Sequence, residues 1–310
     1  MNTKSSHILV IGAASVDVKG RAQKALQSGA SVPGDITVTF GGVGRNVADN
    51  LARMGQRTIL LSAVGDDAFG TQILESAASG GVDVSKVIVV PKCHSAAYMA
   101  ILDERGSKSF AVDEMAIMQF VTPAYISSHA ALFKNASMLV LDANLSPSSL
   151  AAAIKAAKRN GVSVAADPTS KTLAPRLKKH LADLAMVKPN AAEAELLLGH
   201  PIRGRTEAMA AAQEMVAHGT GLAVITLADE GLCYASSSGS GYISAIRCEV
   251  VDYTGAGDAL TAAVVYGLVN GFPLDEAMRL GVSAATLTLR CPETVCPDMS
   301  LERLYDQLVI

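Results

Sequence analysis

The sequence predicts an α/β fold: a mainly parallel sheet with helices layered on its faces, carrying a small antiparallel β lid. Two observations predict it. Short, continuously apolar, β-rich runs alternate along the chain with Ala-, Leu- and Met-rich helical segments, and such strand–helix alternation gives parallel sheets flanked by helices. Two stretches, residues 15–40 and 92–113, break the rhythm. The second carries the alternation Tyr98-Met99-Ala100-Ile101-Leu102-Asp103, which suits half-exposed antiparallel strands.

In chain order, apolar runs at 7–11, 58–64, 137–141, 162–166, 186–187 and 222–227 read as strands. Helical spacing covers 46–54, 69–79, 146–160, 191–198 and 207–218. A further β-rich run, 246–251, precedes two tail helices, 256–270 and 274–289, joined at Gly271-Phe272-Pro273. The chain has no internal repeat, low-complexity tract or linker. At 310 residues it is expected to form one domain, 1–310, with lid segments at about 15–40 and 92–113 inserted in it.

Composition narrows the function. Half the residues are hydrophobic, enough for a well-buried core, and a formal net charge of -3 without any Lys/Arg run argues against nucleic acid as a partner. The first apolar run, 8–11, is ended by Gly12 far short of a signal peptide or membrane span, so a cytoplasmic protein with no membrane partner is expected. The five cysteines, at 93, 233, 248, 291 and 296, include no Cys-x-x-Cys pair. Cys291 and Cys296 can form a local bridge, but idle reduced thiols are the expectation for all five. The six histidines are scattered without metal-ligand spacing and receive no role.

The strongest motif is Asp252-Tyr253-Thr254-Gly255-Ala256-Gly257-Asp258, which opens an Ala-rich helix. Glycines there let the backbone approach an anion, and a helix N-terminus aims unpaired N–H groups and partial positive charge at it, as a phosphate requires. Asp258, ionised at the same helix start, can take the proton of an attacking hydroxyl while a γ-phosphoryl group leaves ATP. A capped helix after a glycine turn is the plainer account of the same residues. Phe40-Gly41-Gly42-Val43-Gly44-Arg45-Asn46 is a second glycine-dense turn before a helix. Gly41 and Gly42 would let a polyol lie on the backbone, and Asn46 offers a donor and an acceptor to hydroxyl groups. The Walker and dinucleotide spacings are both missing, and a purely structural turn competes with the binding role.

Asp17 follows the first strand, where open α/β sheets place ligand contacts, and can accept hydrogen bonds from vicinal hydroxyls. Asp142, Asn144 and Asp167 sit past other strand ends, where ordinary turns also explain them. Asn190 and Glu193 can attend nucleotide phosphates and magnesium-bound water, and the same Asn-x-x-Glu spacing matches a helix capping box.

Together these segments resemble the ribokinase-like, or phosphofructokinase-B, family of sugar and nucleoside kinases over essentially the whole chain. Gly41-Gly42 with Asn46 is similar to the family's N-terminal signature and Asp252-x-Thr254-Gly255-Ala256-Gly257-Asp258 to its C-terminal one. The resemblance implies a ribokinase-like three-layer fold and an ATP- and Mg2+-dependent kinase. In it Gly255, Ala256 and Gly257 form an anion hole, Asp258 is the base, and Asp17, Gly41, Gly42, Asn46 and Asp142 bind substrate. It further implies nucleotide contacts from Asn190, Thr226, Gly231, Thr254, Gly255 and Gly257, with Glu193 reaching Mg2+ through water. A monovalent cation such as K+ is implied near Asp252.

Departures from the family pattern are Ala228 for the first glycine of its Thr-x-Gly-x-x-Gly strand end (Thr226 to Gly231), Ser15 for Asn, and Tyr253 for Thr. Val32-Pro33-Gly34 leading to the Gly41 turn, with Leu61-Ser62-Ala63-Val64-Gly65 and Asp142-Ala143-Asn144, is most similar to the family's nucleoside-phosphorylating branch, with ribose or another ribonucleoside as the competing acceptor. Ser95, Tyr98 and Met115 are positional candidates for contacts to the base. A non-catalytic sensor would be marked by loss of Asp258 or of the glycine turn, and both are present. An apolar lid face would be covered by pairing two lids in a homodimer.

Overall fold

The computed structural model describes residues 6–106 and 108–308. Its strands are β1 (His7–Ile11), β2 (Ser15–Ala22), β3 (Gly34–Gly41), β4 (Thr58–Leu61), β5 (Ala63–Gly65), β6 (Ile88–Val90), β7 (Ala96–Leu102), β8 (Lys108–Glu114), β9 (Ala136–Asp142), β10 (Ser163–Asp167), β11 (Met186–Val187), β12 (Leu222–Thr226), β13 (Gly231–Ser236) and β14 (Gly239–Ser244). Its helices are α1 (Val43–Arg53), α2 (Ala68–Ser79), α3 (Pro123–Ser128), α4 (Ala130–Phe133), α5 (Pro147–Arg159), α6 (Ala191–Leu198), α7 (Gly204–Ala217), α8 (Ala256–Val269), α9 (Leu274–Leu289) and α10 (Leu301–Asp306).

The large sheet has eight strands in the order β14-β13-β12-β11-β10-β9-β1-β4. From β4 to β12 every pairing is parallel, and β13 and β14 close one edge as an antiparallel hairpin. Because successive side chains point to opposite faces, each apolar strand feeds two cores. Leu9, Ile11, Leu139, Leu141, Val164 and Ala166 pack on the side of α5, α6 and α7. Ile8, Val10, Met138, Val140 and Ala165 pack on the side of α1, α8 and α9. Runs apolar on both faces fit only the middle layer of a helix–sheet–helix sandwich, so the expected three-layer architecture follows from the strand composition.

Register carries the site. Ile11 pairs with Leu141, Leu141 with Ala166, and Ala166 with Val187. The residues one step further, Gly12, Asp142, Asp167 and Lys188, therefore share one row along the carboxyl edge. The chain leaves β1 for β4 on one side and returns to β9 on the other, so this row spans the crevice where the strand order reverses, the usual ligand position in open α/β sheets.

The two stretches that broke the rhythm form a second sheet in the order β3-β2-β7-β8. Its outer pairings are antiparallel, and its central pair, β2 with β7, is parallel because the chain makes a crossover through α1 and α2 between them. One face aligns Val38, Val18, Met99 and Val112, then Ile36, Gly20, Ile101 and Phe110. It is solvent-facing, with Ile36 77%, Phe110 70% and Val112 71% exposed. The opposite face carries Asp17 and Lys19, both buried.

Four expectations are corrected. The run 246–251 is irregular rather than a strand, since Ile246, Arg247, Cys248 and Val250 line a groove instead of joining a ladder. The 58–64 run is broken after Leu61, and its second half pairs with β6 in a separate two-stranded sheet. The first helix begins at Val43, three residues earlier than its apolar spacing indicates, with Gly42 as its N-cap. Cys291 and Cys296, expected as idle thiols, are joined as a disulfide, because the segment after α9 folds back to bring their Cα atoms within 5.7 Å.

Candidate active site

β3 delivers Gly41 directly against Asp17: a Cβ on Gly41 would stand 2.4 Å from Asp17 Oδ2, so no larger residue fits. Asp17 is buried and accepts from Ser15 Oγ at 3.1 Å, and burial pushes its carboxyl up. Five residues past Gly41, Asn46 lies in the first turn of α1 with its amide oriented by neighbours. Arg45 Nη1 donates to Asn46 Oδ1 at 3.2 Å, and Thr294 Oγ1, which donates to Phe40 O, lies 3.4 Å from the same Oδ1. The remaining Nδ2 donates to Asp258 Oδ2 at 2.8 Å. The two glycine motifs, read separately in the sequence, thus meet at a hydrogen bond.

On the strand-end row, Asp142 Oδ2 accepts from the N–H groups of Ala13 (2.7 Å) and Gly44 (2.9 Å), and Oδ1 from that of Asn144 (2.9 Å). Burial pushes its carboxyl up to about 6 against those bonds. This carboxylate ties β1, β9 and the start of α1 together, a bracing position distinct from the expected substrate contact. Asp167 Oδ2 meets Lys188 Nζ at 2.8 Å and accepts from Thr261 Oγ1 at 3.2 Å, while Oδ1 accepts from the Thr169 N–H at 2.8 Å. Thr169 holds φ 69°, a costly conformation for a β-branched residue. Burial would lower the Lys188 ammonium, but Asp167 and Asp258 outweigh it and hold it above its ordinary value.

α8 starts from Gly255 at φ 84°, where a Cβ would lie 1.8 Å from Thr294 O. The N–H groups of its first turn have no partner within the helix, which makes the turn an anion seat. Asp258 is the third residue of that turn and half-buried. Loss of hydration, then the nearby Asp167 carboxylate, push its carboxyl up to about 7, against the pull of Lys188 and the Asn46 hydrogen bond. A carboxylate with that value is poised to accept a proton near neutral pH.

Beyond the turn opens a cavity of about 710 Å³, lined by Thr226, Gly231, Ile246, Val250, Tyr253, Ala256, Gly257 and Leu260, among others. Its size suits a small-molecule ligand. Ala228, also in its wall, holds φ 52°, a left-handed conformation that glycine adopts without penalty. Asn190 and Glu193 form the expected capping box, Glu193 N donating to Asn190 Oδ1 and Asn190 N to Glu193 Oε2, each at 2.9 Å. Thr226 N donates to Pro189 O at 3.0 Å, which brings Asn190 alongside the cavity wall.

Among the positional candidates, Ser95 is consumed structurally: it donates through N and Oγ to Asp67 and accepts from Gly65 N. Met115 packs against the core, and Tyr98 shares a rung with Asp17 on the small sheet. Sequence reasoning missed Lys19, Arg45, Lys188 and Thr294. Lys188 had a signal, its place at a strand end before Pro189. Lys19 and Thr294 act through contacts with residues remote in sequence, which no local pattern announces, whereas Arg45 lies within the glycine motif itself and bonds Phe40 O and Asn46.

The model of the pfkB family of carbohydrate kinases matches residues 5–299. The chain belongs to that family. Among relatives of this pfkB kinase, pseudouridine kinase of Escherichia coli (strain K12) is 34% identical over 299 residues, covering 96% of this chain and 95% of the relative. Guanosine-inosine kinase of Exiguobacterium acetylicum is 27% identical, covering 94% and 97%. In fold, ribokinase of Arabidopsis thaliana, solved with ribose and ATP, superposes at a TM-score of 0.87 with 23% identity over 99% of each chain.

The pfkB kinase is therefore a phosphotransferase of the sugar and nucleoside kinase class, a class that uses ATP. The cavity and anion seat fit a nucleotide. Asp167, Glu193 and Asp258 set three carboxylates around the single Lys188 ammonium, a negative excess that fits Mg2+. Among the described residues no group of three or more His, Cys, Asp or Glu is arranged as a metal cage; Mg2+ commonly keeps several waters and takes few protein ligands. The implied K+ does not fit. Lys19 Nζ lies 2.5 Å from Asp252 Oδ2, where the monovalent ion was expected. Among the described residues no helix is long and apolar enough to cross a membrane.

The raised Asp258 value has a measurable sign. Its folded value, about 7, exceeds the unfolded carboxylate value, so native stability is lost as pH rises from the unfolded value through 7. Asp258→Asn removes that loss, and the melting temperature of the variant relative to wild type should increase between pH 5 and pH 8. An unchanged difference across that range would contradict the assigned environment.

Proposed function

We propose that this kinase transfers the γ-phosphoryl group of ATP to the 5'-hydroxyl of pseudouridine, giving pseudouridine 5'-phosphate and ADP, with Asp258 as the base. The observation that carries the proposal is the 2.8 Å contact between Asn46 and Asp258. It sets the polyol-binding turn and the proton acceptor side by side at the helix end suited to phosphate.

In this reading Asp17, with Asn46 and the bare backbone at Gly41 and Gly42, holds the ribose hydroxyls, and Asp142 braces that turn from behind. Asp258 takes the 5'-hydroxyl proton, and the N–H groups of Gly255, Ala256 and Gly257 receive the developing phosphate charge. Thr226, Gly231, Thr254 and Asn190 face the nucleotide, and Glu193 reaches Mg2+ through water. The small sheet serves as a lid on one kinase domain and turns its polar face, with Asp17, toward the acceptor. Closing it excludes water from transfer. Pseudouridine is favoured as acceptor by 34% identity to the Escherichia coli pseudouridine kinase over nearly the full length of both chains.

The test is ADP production from ATP and Mg2+ with pseudouridine, uridine, cytidine, adenosine and ribose offered separately. Pseudouridine should dominate, and preference for any other acceptor would overturn the specificity. Asp258→Asn should lower turnover by about 10²- to 10⁴-fold, the usual worth of a general base, and unchanged turnover would remove Asp258 from the mechanism.

The outer lid face, with Ile36, Phe110 and Val112 exposed, supports a homodimer in which two lids cover each other. Light scattering should then give a dimer for the wild type and a monomer for Phe110→Glu. A monomeric wild type would contradict it.

A further inference from the structure

Lys19 stands on β2 two residues past Asp17, on the same face of the small sheet, and is buried. Its ammonium donates to Asp252 Oδ2 at 2.5 Å and to Thr254 Oγ1 at 2.6 Å. Asp252 Oδ1 accepts from the Thr254 N–H at 2.8 Å, so the chain itself engages both oxygens of this carboxylate. From behind, the N–H groups of Val251 and Asp252 donate to Leu289 O at 2.8 and 3.3 Å. The next residue after Thr254 is Gly255, the cap of the anion seat.

A carboxylate so close to that seat opposes phosphate unless its charge is offset. A diffusible monovalent cation is one way to offset it, but a cation on Asp252 would here stand against the Lys19 ammonium, and like charges at such separation repel. We propose that Lys19 is the built-in monovalent cation of this kinase, a positioning residue whose ammonium neutralises Asp252 and fixes the turn before Gly255. Phosphoryl transfer is thereby independent of potassium or any other added monovalent ion. The same tether joins the strand that bears Asp17 to the turn that leads into Asp258, so the acceptor side and the phosphate side are held as one unit. Sequence alone gives no sign of it, because Lys19 and Asp252 are 233 residues apart.

The inference rests on the kinase activity and not on which acceptor is used, so its test has a readout that needs no acceptor. Thermal melts and ATP turnover are measured in potassium, sodium, ammonium and choline chloride at equal ionic strength. For the wild type, rates should agree within about twofold and the melting temperature should not depend on the cation, because the Asp252 charge is already paired with Lys19. Lys19→Met, which keeps the apolar stem, should lose about tenfold or more of kcat/KM in choline, since it leaves the half-buried Asp252 carboxylate without its charge partner beside the anion seat. Potassium or ammonium should restore part of that rate and raise the variant's melting temperature, while Lys19→Arg should remain indifferent to the salt. Stimulation or stabilisation of the wild type by potassium over choline would overturn the proposal, whether or not Lys19→Met folds. So would a Lys19→Met enzyme indistinguishable from wild type in rate and melting. If no acceptor in the panel were phosphorylated, the wild-type melts would still decide.

Discussion

The hydrogen bond from Asn46 to Asp258 is the contact on which the rest of the site depends. It closes a separation of 212 residues, and it forms only if α1 and α8 lie side by side on one face of the large sheet. They do so because Val47, Leu51, Ala259, Ala262 and Ala263 share the same core with alternate residues of β1 and β9. The small residues of α8 let the two helices approach, and the bond then aligns the turns that precede them. Asp142 fixes one of these turns by binding the N–H groups of Ala13 and Gly44. Thr294 touches both, with its carbonyl against Gly255 and its hydroxyl donating to Phe40 O.

Electrostatics explains why so much of this frame is polar and still buried. Isolated carboxylates are costly away from water, and they persist when paired or held by N–H groups. Asp167 is paired with Lys188, Asp142 is satisfied by backbone, and Asp252 is paired with Lys19. Asp258 is less compensated than these three, with a single amide donor and the shared attraction of Lys188, and its proton affinity rises accordingly. Its raised proton affinity thus follows from being less compensated than these three neighbours.

The layered fold was legible because its signals are local. Strands such as His7–Ile11 and Met186–Val187, and helices such as Ala191–Leu198 and Leu274–Leu289, lie where apolar spacing puts them. The β13–β14 hairpin escaped notice because β14 is rich in Ser and Gly and the Ser237-Ser238 turn lacks the usual Asn-Gly signal. The run 246–251 misled for the opposite reason, since β-branched residues can wall a groove as well as build a ladder. The two glycine turns were visible as motifs. The residues that orient them from afar, Thr294 and Lys19, were not, because their role exists only once distant segments are packed together.

The account places a nucleoside hydroxyl between Asn46, Asp258 and the phosphate seat at the start of α8. A crystal structure with pseudouridine and a non-hydrolysable ATP analogue tests this most directly. The account predicts the 5'-oxygen within hydrogen-bond reach of Asp258 and the terminal phosphate on the N–H groups of Gly255, Ala256 and Gly257. A nucleoside bound with its 5'-oxygen away from Asp258, or a terminal phosphate outside the α8 turn, would contradict it.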